Sequence, residues 1–335
     1  MFSSSRTVVG GREATPVNRP AELVSLHYVS LGARGPEDVV PDPHGRVLTG
    51  VADGRILRVH HLGDPRTART EVLARTGGRP LGLELLPDGD VVVCDAERGL
   101  LRVGTDDGTV RVLADSVAGE RLRFCSNAVA LPDGTLYFTV SSRRHPLDRW
   151  IGDIVEHTGT GRLLRLPPEG GEPEVLLEGL RFANGLAVAA DGSSLVLAET
   201  GACRLVRYRL TGPRAGHAEP FADLPGMPDN LWREGPGGPV WVALASPRVP
   251  PLDLLHRASP AVRRAAARAA VHLPYRPSGT AGVVAVDDAG RVVHHLARHR
   301  SGFRMVTSVC VTGDHLVLGS LWEPGVAVCA RPAAR

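Results

Sequence analysis

The apolar positions of this chain fall into short runs with a period of two, paired around Asp-Gly turns. Leu81-Gly-Leu-Glu-Leu-Leu-Pro-Asp-Gly-Asp-Val-Val-Val shows the unit most cleanly. Asn184-Gly-Leu-Ala-Val-Ala-Ala-Asp-Gly-Ser-Ser-Leu-Val-Leu repeats it, as does Glu37-Asp-Val-Val-Pro-Asp-Pro-His-Gly-Arg-Val-Leu. Alternation puts every second side chain on one face of a pleated strand, and Asp-Gly supplies the positive φ angles of a tight hairpin. Each unit therefore predicts two antiparallel strands.

Units of this kind fall near residues 35–75, 76–116, 117–179, 180–223, 224–298 and 299–335. Self-similarity at about 40 residues, with four strands to a unit, predicts an all-β six-bladed propeller forming a single domain over residues 21–335. The last unit is short, and the alternating segment beginning at Glu22 is expected to complete its blade and close the ring. Residues 1–20 lack an apolar core segment and are expected to form a flexible lead-in rather than a signal peptide. Two insertions interrupt the pattern, Arg143 to Thr160 and Pro247 to Pro277. In the second, Ser259 and Pro260 form an N-cap and N1 pair ahead of an Ala/Arg-rich helix, a short helical insertion in blade five. That helix either caps the pocket mouth or packs on the surface with a solvated Arg face.

Composition narrows the partners. All 39 basic residues are Arg and the net charge is only +3, with few aromatics and no basic stripe, which argues against nucleic acid. The absence of Lys removes Schiff-base chemistry. Five cysteines without CxxC spacing indicate neither a zinc site nor a disulfide framework, as expected of a reduced, cytoplasmic chain. No apolar run reaches the roughly 20 residues needed to span a bilayer, so stable membrane insertion is not expected. The Arg- and Ala-rich usage resembles that of high-GC bacterial genomes, where such genes often serve specialised metabolism.

Asparagine is scarce: of four, Asn127, Asn184 and Asn230 stand at strand entrances. Counting back eight positions from each turn glycine gives Glu37, Leu81, Ser126, Asn184 and Asp229, with the sixth counterpart around Val306 or Thr307. Inner strands of a propeller line one channel, so residues of equal phase converge. Glu37, Asn184 and Asp229 would then offer two carboxylates and an amide oxygen to one point, a donor set for a hard cation such as Ca²⁺ rather than zinc.

These residues sit within motifs that resemble the gluconolactonase, paraoxonase and strictosidine synthase-like six-bladed propellers, most of all the branch containing adipocyte plasma-membrane-associated protein. The matches include Gly35-Pro-Glu37, Asp133-Gly-Thr-Leu-Tyr-Phe-Thr, Phe182-Ala-Asn-Gly185, Leu197-Ala-Glu-Thr200 and Pro225-Gly-Met-Pro-Asp-Asn230, in order along nearly the whole chain. The resemblance implies a divalent cation, usually Ca²⁺, held by Glu37, Asn184 and Asp229, with Asn230 as a neighbouring polar group. It also marks departures. The family's Phe-x-Asn-Asp stands here as Phe124-Cys-Ser-Asn127, which puts Ser126 at the ring position and Asn127 one step beyond it. A paraoxonase-like His is replaced by Leu81, and the late Glu of plant strictosidine synthase by Thr307. An Asp is replaced by Val140.

The expected function is hydrolysis of a lactone or ester. The cation would polarise the carbonyl, Asp229 would act as ligand and general base, and Ser126, Asn127 and Asn230 would contact the small-molecule substrate. The alternative is a non-hydrolytic condensing enzyme or binding propeller of the strictosidine synthase type. A Ser nucleophile is poorly supported: Ser141 and Ser142 lie near His145, but no Gly-x-Ser-x-Gly motif is present. Cys125 is expected in the core.

Overall fold

The computed structural model describes residues 20–235 and 237–333. The expected lead-in lies outside them, Pro20 excepted. Six sheets form the six blades of a β-propeller, and their innermost strands touch in cyclic order, the sixth against the first. These inner strands are Val40–Pro41, Pro80–Leu85, Cys125–Ala130, Ala183–Val188, Gly226–Arg233 and Val306–Thr312. Apolar side chains from facing blades fill the space between neighbouring sheets, with Trp241, Phe138, Leu57 and Leu163 among the fully buried ones.

The ring closes as the alternation predicts, with one difference. His27–Ser30 runs antiparallel to Gly325–Ala330 as the outermost strand of blade six, so the two ends of the chain share one sheet. Ala21–Glu22 instead pairs in parallel with Val292–His299, adding a fifth strand to blade five. The segment serves two blades because Ser25, at φ 54°, turns the chain between them.

The turns also differ in detail from a two-residue hairpin with two positive φ values. Only the glycine is left-handed, as at Gly89 (φ 90°) and Gly134 (φ 87°). The aspartate works through its side chain: Asp133 Oδ1 accepts the amide of Thr135 at 2.9 Å, and Asp191 Oδ1 that of Ser193 at 2.9 Å. This Asx geometry explains why Asp, and not simply any turn former, recurs before the glycine.

Both insertions contain helices. Blade three contributes α1 (Trp150–Glu156), and blade five contributes α2 (Pro250–Leu255) and α3 (Pro260–Ala270). Ser259 is extended at the N-cap of α3 and Pro260 occupies its first turn, as the sequence predicts. Helix α3 packs against α1, leaving Arg264 and Arg268 exposed. Among the described residues no helix is long and apolar enough to cross a membrane.

Candidate functional site

Each of blades two to five begins its inner strand with a bulge, in which two residues face one on the neighbouring strand. The register breaks between Pro80 and Leu83, Cys125 and Ala128, Ala183 and Leu186, and Pro228 and Leu231. A related shift lies between Val306 and Ser308 in blade six. A bulge re-aims side chains and suspends strict alternation. Consecutive residues therefore both reach the axis, at two depths.

The upper level is the ring read from the turn spacing. Glu37, Leu81, Ser126, Asn184, Asp229 and Thr307 all line one cavity at the channel mouth. Thr307 settles the sixth position. Asn184 is the hub: its Oδ1 accepts the Ser126 hydroxyl at 2.9 Å, and its Nδ2 donates to Asp229 Oδ1 at 2.6 Å and to Thr200 Oγ1 at 3.3 Å. Thr307 donates to the Glu37 carbonyl at 2.6 Å. The cavity wall is apolar, built from Leu81, Phe124, Phe182, Met227, Met305 and Leu321. Leu147 and Trp150 from the blade-three insertion and Tyr275 from the blade-five insertion line it as well and form its roof, whereas α3 contributes no lining residue and packs on α1 with its Arg face outward.

The lower level holds Asn127 and Asn230, together with Asp38 and Ser308. Asn230 Nδ2 donates to both Glu37 carboxylate oxygens at 3.2 Å, and Asn127 Nδ2 donates to Asn230 Oδ1 at 3.2 Å. Asn127 Oδ1 accepts the Leu186 amide at 2.9 Å, and Ser308 holds Asp38 at 2.5 Å. Neither Asn127 nor Asn230 lines the cavity. The expected substrate contacts from these two amides are corrected accordingly: they sit beneath the ring, their polar atoms spent on one another, on Glu37 and on backbone, while Ser126 faces the pocket. Asp38, whose carboxylate is buried at this level, was missed because it follows Glu37 on a segment read as simple alternation.

The electrostatics are those of concentrated, buried negative charge. Burial, then the charges of Asp229 and Asp38, hold the Glu37 carboxyl well above its usual range, against the opposing pull of Arg79 and the Asn230 hydrogen bond. Burial pushes Asp229 up to about 8, with the Asn184 hydrogen bond opposing and Asp38 adding. Arg79 is buried nearby, yet its Nη1 and Nη2 donate to the carbonyls of Pro80 and Gly35 rather than to either carboxylate. Two carboxylates and an amide facing one small cavity, under-compensated by protein cations, fit a hard divalent cation with oxygen ligands. Glu37, Asn184 and Asp229 are the residues that can hold it. Among the described residues no group of three or more His, Cys, Asp or Glu side chains is arranged as a metal site, which leaves this mixed set as the candidate.

Other candidates recede. Ser142 Oγ is engaged with Asp153 at 2.5 Å and His145 with Glu156 at 3.0 Å, so the two form no nucleophile and base pair. Cys125 lies wholly in the core, and all five cysteines are free and buried.

A strictosidine synthase family model matches residues 127–213, and a strictosidine synthase-like N-terminal model matches residues 21–59. Protein STRICTOSIDINE SYNTHASE-LIKE 6 of Arabidopsis thaliana is 33% identical over 306 residues, covering 90% of this chain and 80% of that protein. The chain belongs to the strictosidine synthase-like family.

Adipocyte plasma membrane-associated protein of Salmo salar is 37% identical over 61% of this chain and 52% of its own length. Among solved structures, a gluconolactonase from Xanthomonas campestris superposes with a TM-score of 0.65 at 18% identity, covering 93% of this chain and 92% of that one. The calcium-binding protein regucalcin from Agrobacterium tumefaciens gives 0.59 at 17% identity, covering 90% of each chain. At these identities the likeness is one of fold. These two relatives in sequence are plant and fish proteins, and they lend no support to the bacterial origin expected from composition. Residue usage follows base composition in any lineage.

Proposed function

We propose that this propeller is a calcium-dependent hydrolase of lactones or esters with an apolar body. The observation that carries the reading is the pairing of Glu37 and Asp229, buried together at the floor of an apolar, roofed pocket. A Ca²⁺ ion held by Glu37, Asn184 and Asp229 would supply Lewis-acid polarisation of the carbonyl at that floor.

The chain's own residues supply the rest. Asp229 is fixed through Oδ1 by Asn184, and among the described residues Oδ2 has no hydrogen-bond partner, which leaves it to accept a proton. It takes that proton from water as the water oxygen bonds to the carbonyl carbon, and returns it to the departing alkoxide when the C–O bond breaks. Asn230 holds Glu37 from beneath, so the two carboxylates keep their separation. The apolar wall binds the alkyl or aryl part of the substrate and excludes bulk water, which strengthens each polar contact inside. Thr307 supports hydrolysis over condensation: it stands where the resemblance implies a Glu for condensing chemistry, and its hydroxyl is committed to the Glu37 carbonyl.

The test is a panel of γ- and δ-lactones and aryl esters assayed with and without EGTA, alongside metal content of the purified protein. Turnover that EGTA abolishes and Ca²⁺ restores is expected. Stoichiometric metal with no turnover of any member of the panel would overturn the reading.

A further inference from the structure

The donors lining the pocket are almost all committed to the protein itself. Ser126 donates to Asn184, Asn184 to Asp229 and Thr200, Thr200 to the Pro228 carbonyl, Ser246 to the Pro247 carbonyl, and Thr307 to the Glu37 carbonyl. A substrate carbonyl stripped of water on entering this cavity needs a hydrogen bond, and these groups have none to spare.

Two lining donors, the Trp150 indole N–H and the Tyr275 hydroxyl, have no protein acceptor among the described residues, and of the two Tyr275 carries the more acidic hydrogen. It lines the same cavity from the roof, among the described residues its hydroxyl donates to no protein group, and that oxygen is not sealed in the interior. Its ring is held edge-on by two tryptophans, Trp150 at 4.9 Å and 82° and Trp322 at 6.4 Å and 77°. Three insertions or loops thus meet to fix one phenol, a costly arrangement if the ring only filled space. Burial and the charge of Asp229 both keep the phenol protonated, as a neutral donor must be.

Building on the hydrolytic reading, we propose that Tyr275 donates its hydroxyl proton as a hydrogen bond to the carbonyl oxygen of the substrate, and that the pocket selects neutral carbonyl compounds whose apolar body packs against Trp150 and Leu147. The hydrogen bond strengthens as negative charge develops on that oxygen, so Tyr275 contributes to the transition state as well as to binding. No proton is transferred by Tyr275. Asp229 keeps that task.

The test separates this contact from hydrolysis. Binding of butylcyclohexanone and of butylcyclohexane is measured by tryptophan fluorescence on the full chain, for the wild type, Tyr275→Phe and Tyr275→Ala. The phenylalanine ring preserves the packing and lacks only the hydroxyl. Wild-type protein is expected to prefer the ketone, Tyr275→Phe to lose about tenfold in ketone affinity with the hydrocarbon unchanged, and Tyr275→Ala to weaken both. On any lactone that is turned over, Tyr275→Phe is expected to lower kcat/KM about 100-fold. Unchanged ketone affinity in Tyr275→Phe, equal loss for both probes, or no wild-type preference for the ketone would overturn the proposal. If no lactone is turned over, the hydrolytic reading falls and the binding comparison still decides the role of Tyr275.

Discussion

Asn127 and Asn230 hydrogen-bond each other across the channel axis, Nδ2 to Oδ1 at 3.2 Å, although 103 positions separate them along the chain. They belong to blades three and five. Blade four lies between them and presents Gly185 at this depth, whose missing side chain lets the inner strands of blades four and five approach closely. A Cβ built at Gly185 would stand 2.5 Å from the Asp229 carbonyl oxygen and 2.7 Å from the Asn230 Cα. Both are backbone atoms and cannot swing aside. Gly185→Ala is therefore expected to cost about 1–3 kcal/mol of stability and to push Asp229 out of the ring. Chemical denaturation and a calcium titration together check this, and a variant with wild-type values for both would show that the blades yield at this point.

The same lower level is expected to tune the upper one. Asn230 is the only amide that touches Glu37 among the described residues, and it favours the charged carboxylate. Asn230→Ala removes that support, raises the Glu37 pKa further and is expected to weaken Ca²⁺ binding by about 10- to 100-fold. Calorimetric titration measures the effect. An affinity unchanged by the substitution would reduce Asn230 to a packing role.

Asp229→Asn probes the base directly. The amide is nearly isosteric and its Oδ1 can still meet Asn184, so the fold is expected to survive. Loss of the proton acceptor is expected to lower kcat by at least about 100-fold on any lactone that the wild type hydrolyses. Removing one of the buried carboxylates also relieves repulsion, so the metal-free variant is expected to melt above the metal-free wild type at alkaline pH. Retained activity would remove Asp229 from the chemistry.

How much of this site the sequence discloses depends on what sets each position. The phase of Glu37, Asn184 and Asp229 is tied to a turn glycine eight residues on, a local signal that survives in any single chain. The bulge that carries Asn127 and Asn230 to the axis has no such marker. Alternation therefore places them on the wrong face, although the one-residue offset of Asn127 from Ser126 was visible. The roof was legible only in part. Ser259 and Pro260 announce α3 by residue type, whereas α1 starts after Arg149, which is not a capping residue, and α2 is a single short stretch. Tyr275 lies in irregular chain beyond α3, where no period singles it out.

Metal-free protein should lose stability as pH rises. Glu37 and Asp229 have folded pKa values raised above their unfolded ones, so their stabilising contribution is complete below about pH 4 and is lost as pH climbs through the folded value of about 8 for Asp229. Tm of EDTA-treated protein is expected to fall between about pH 6 and about pH 9. Added Ca²⁺ should restore more of it at the alkaline end, with protons released on binding. A Ca²⁺-induced shift that is the same at both ends would show that the two carboxyls are not protonated in the apo protein.

The roof should respond to acid. The rings of His157, at the C-cap of α1, and His256, at the end of α2, stack with centroids 3.8 Å apart, so the two insertions meet through two imidazoles. Burial is the first cause that lowers both pKa values, His157 to about 3; the charges of His256, Arg181, Arg263 and Arg204 add to it at His157, and those of Arg263 and Arg181 at His256, where the Ile154 carbonyl and Asp253 oppose. Folded values below the unfolded one mean that the docked roof is fully stabilised above about pH 6.5 and loses that contribution as pH falls towards the folded values. Fluorescence of Trp150 and proteolysis of the link between α2 and α3 are expected to report loosening below about pH 6. His157 is left-handed at φ 58°, a conformation Asn tolerates, so His157→Asn keeps the cap while removing the charge. That variant should hold its roof to lower pH than the wild type, and an unchanged acid midpoint would assign the loosening to other groups.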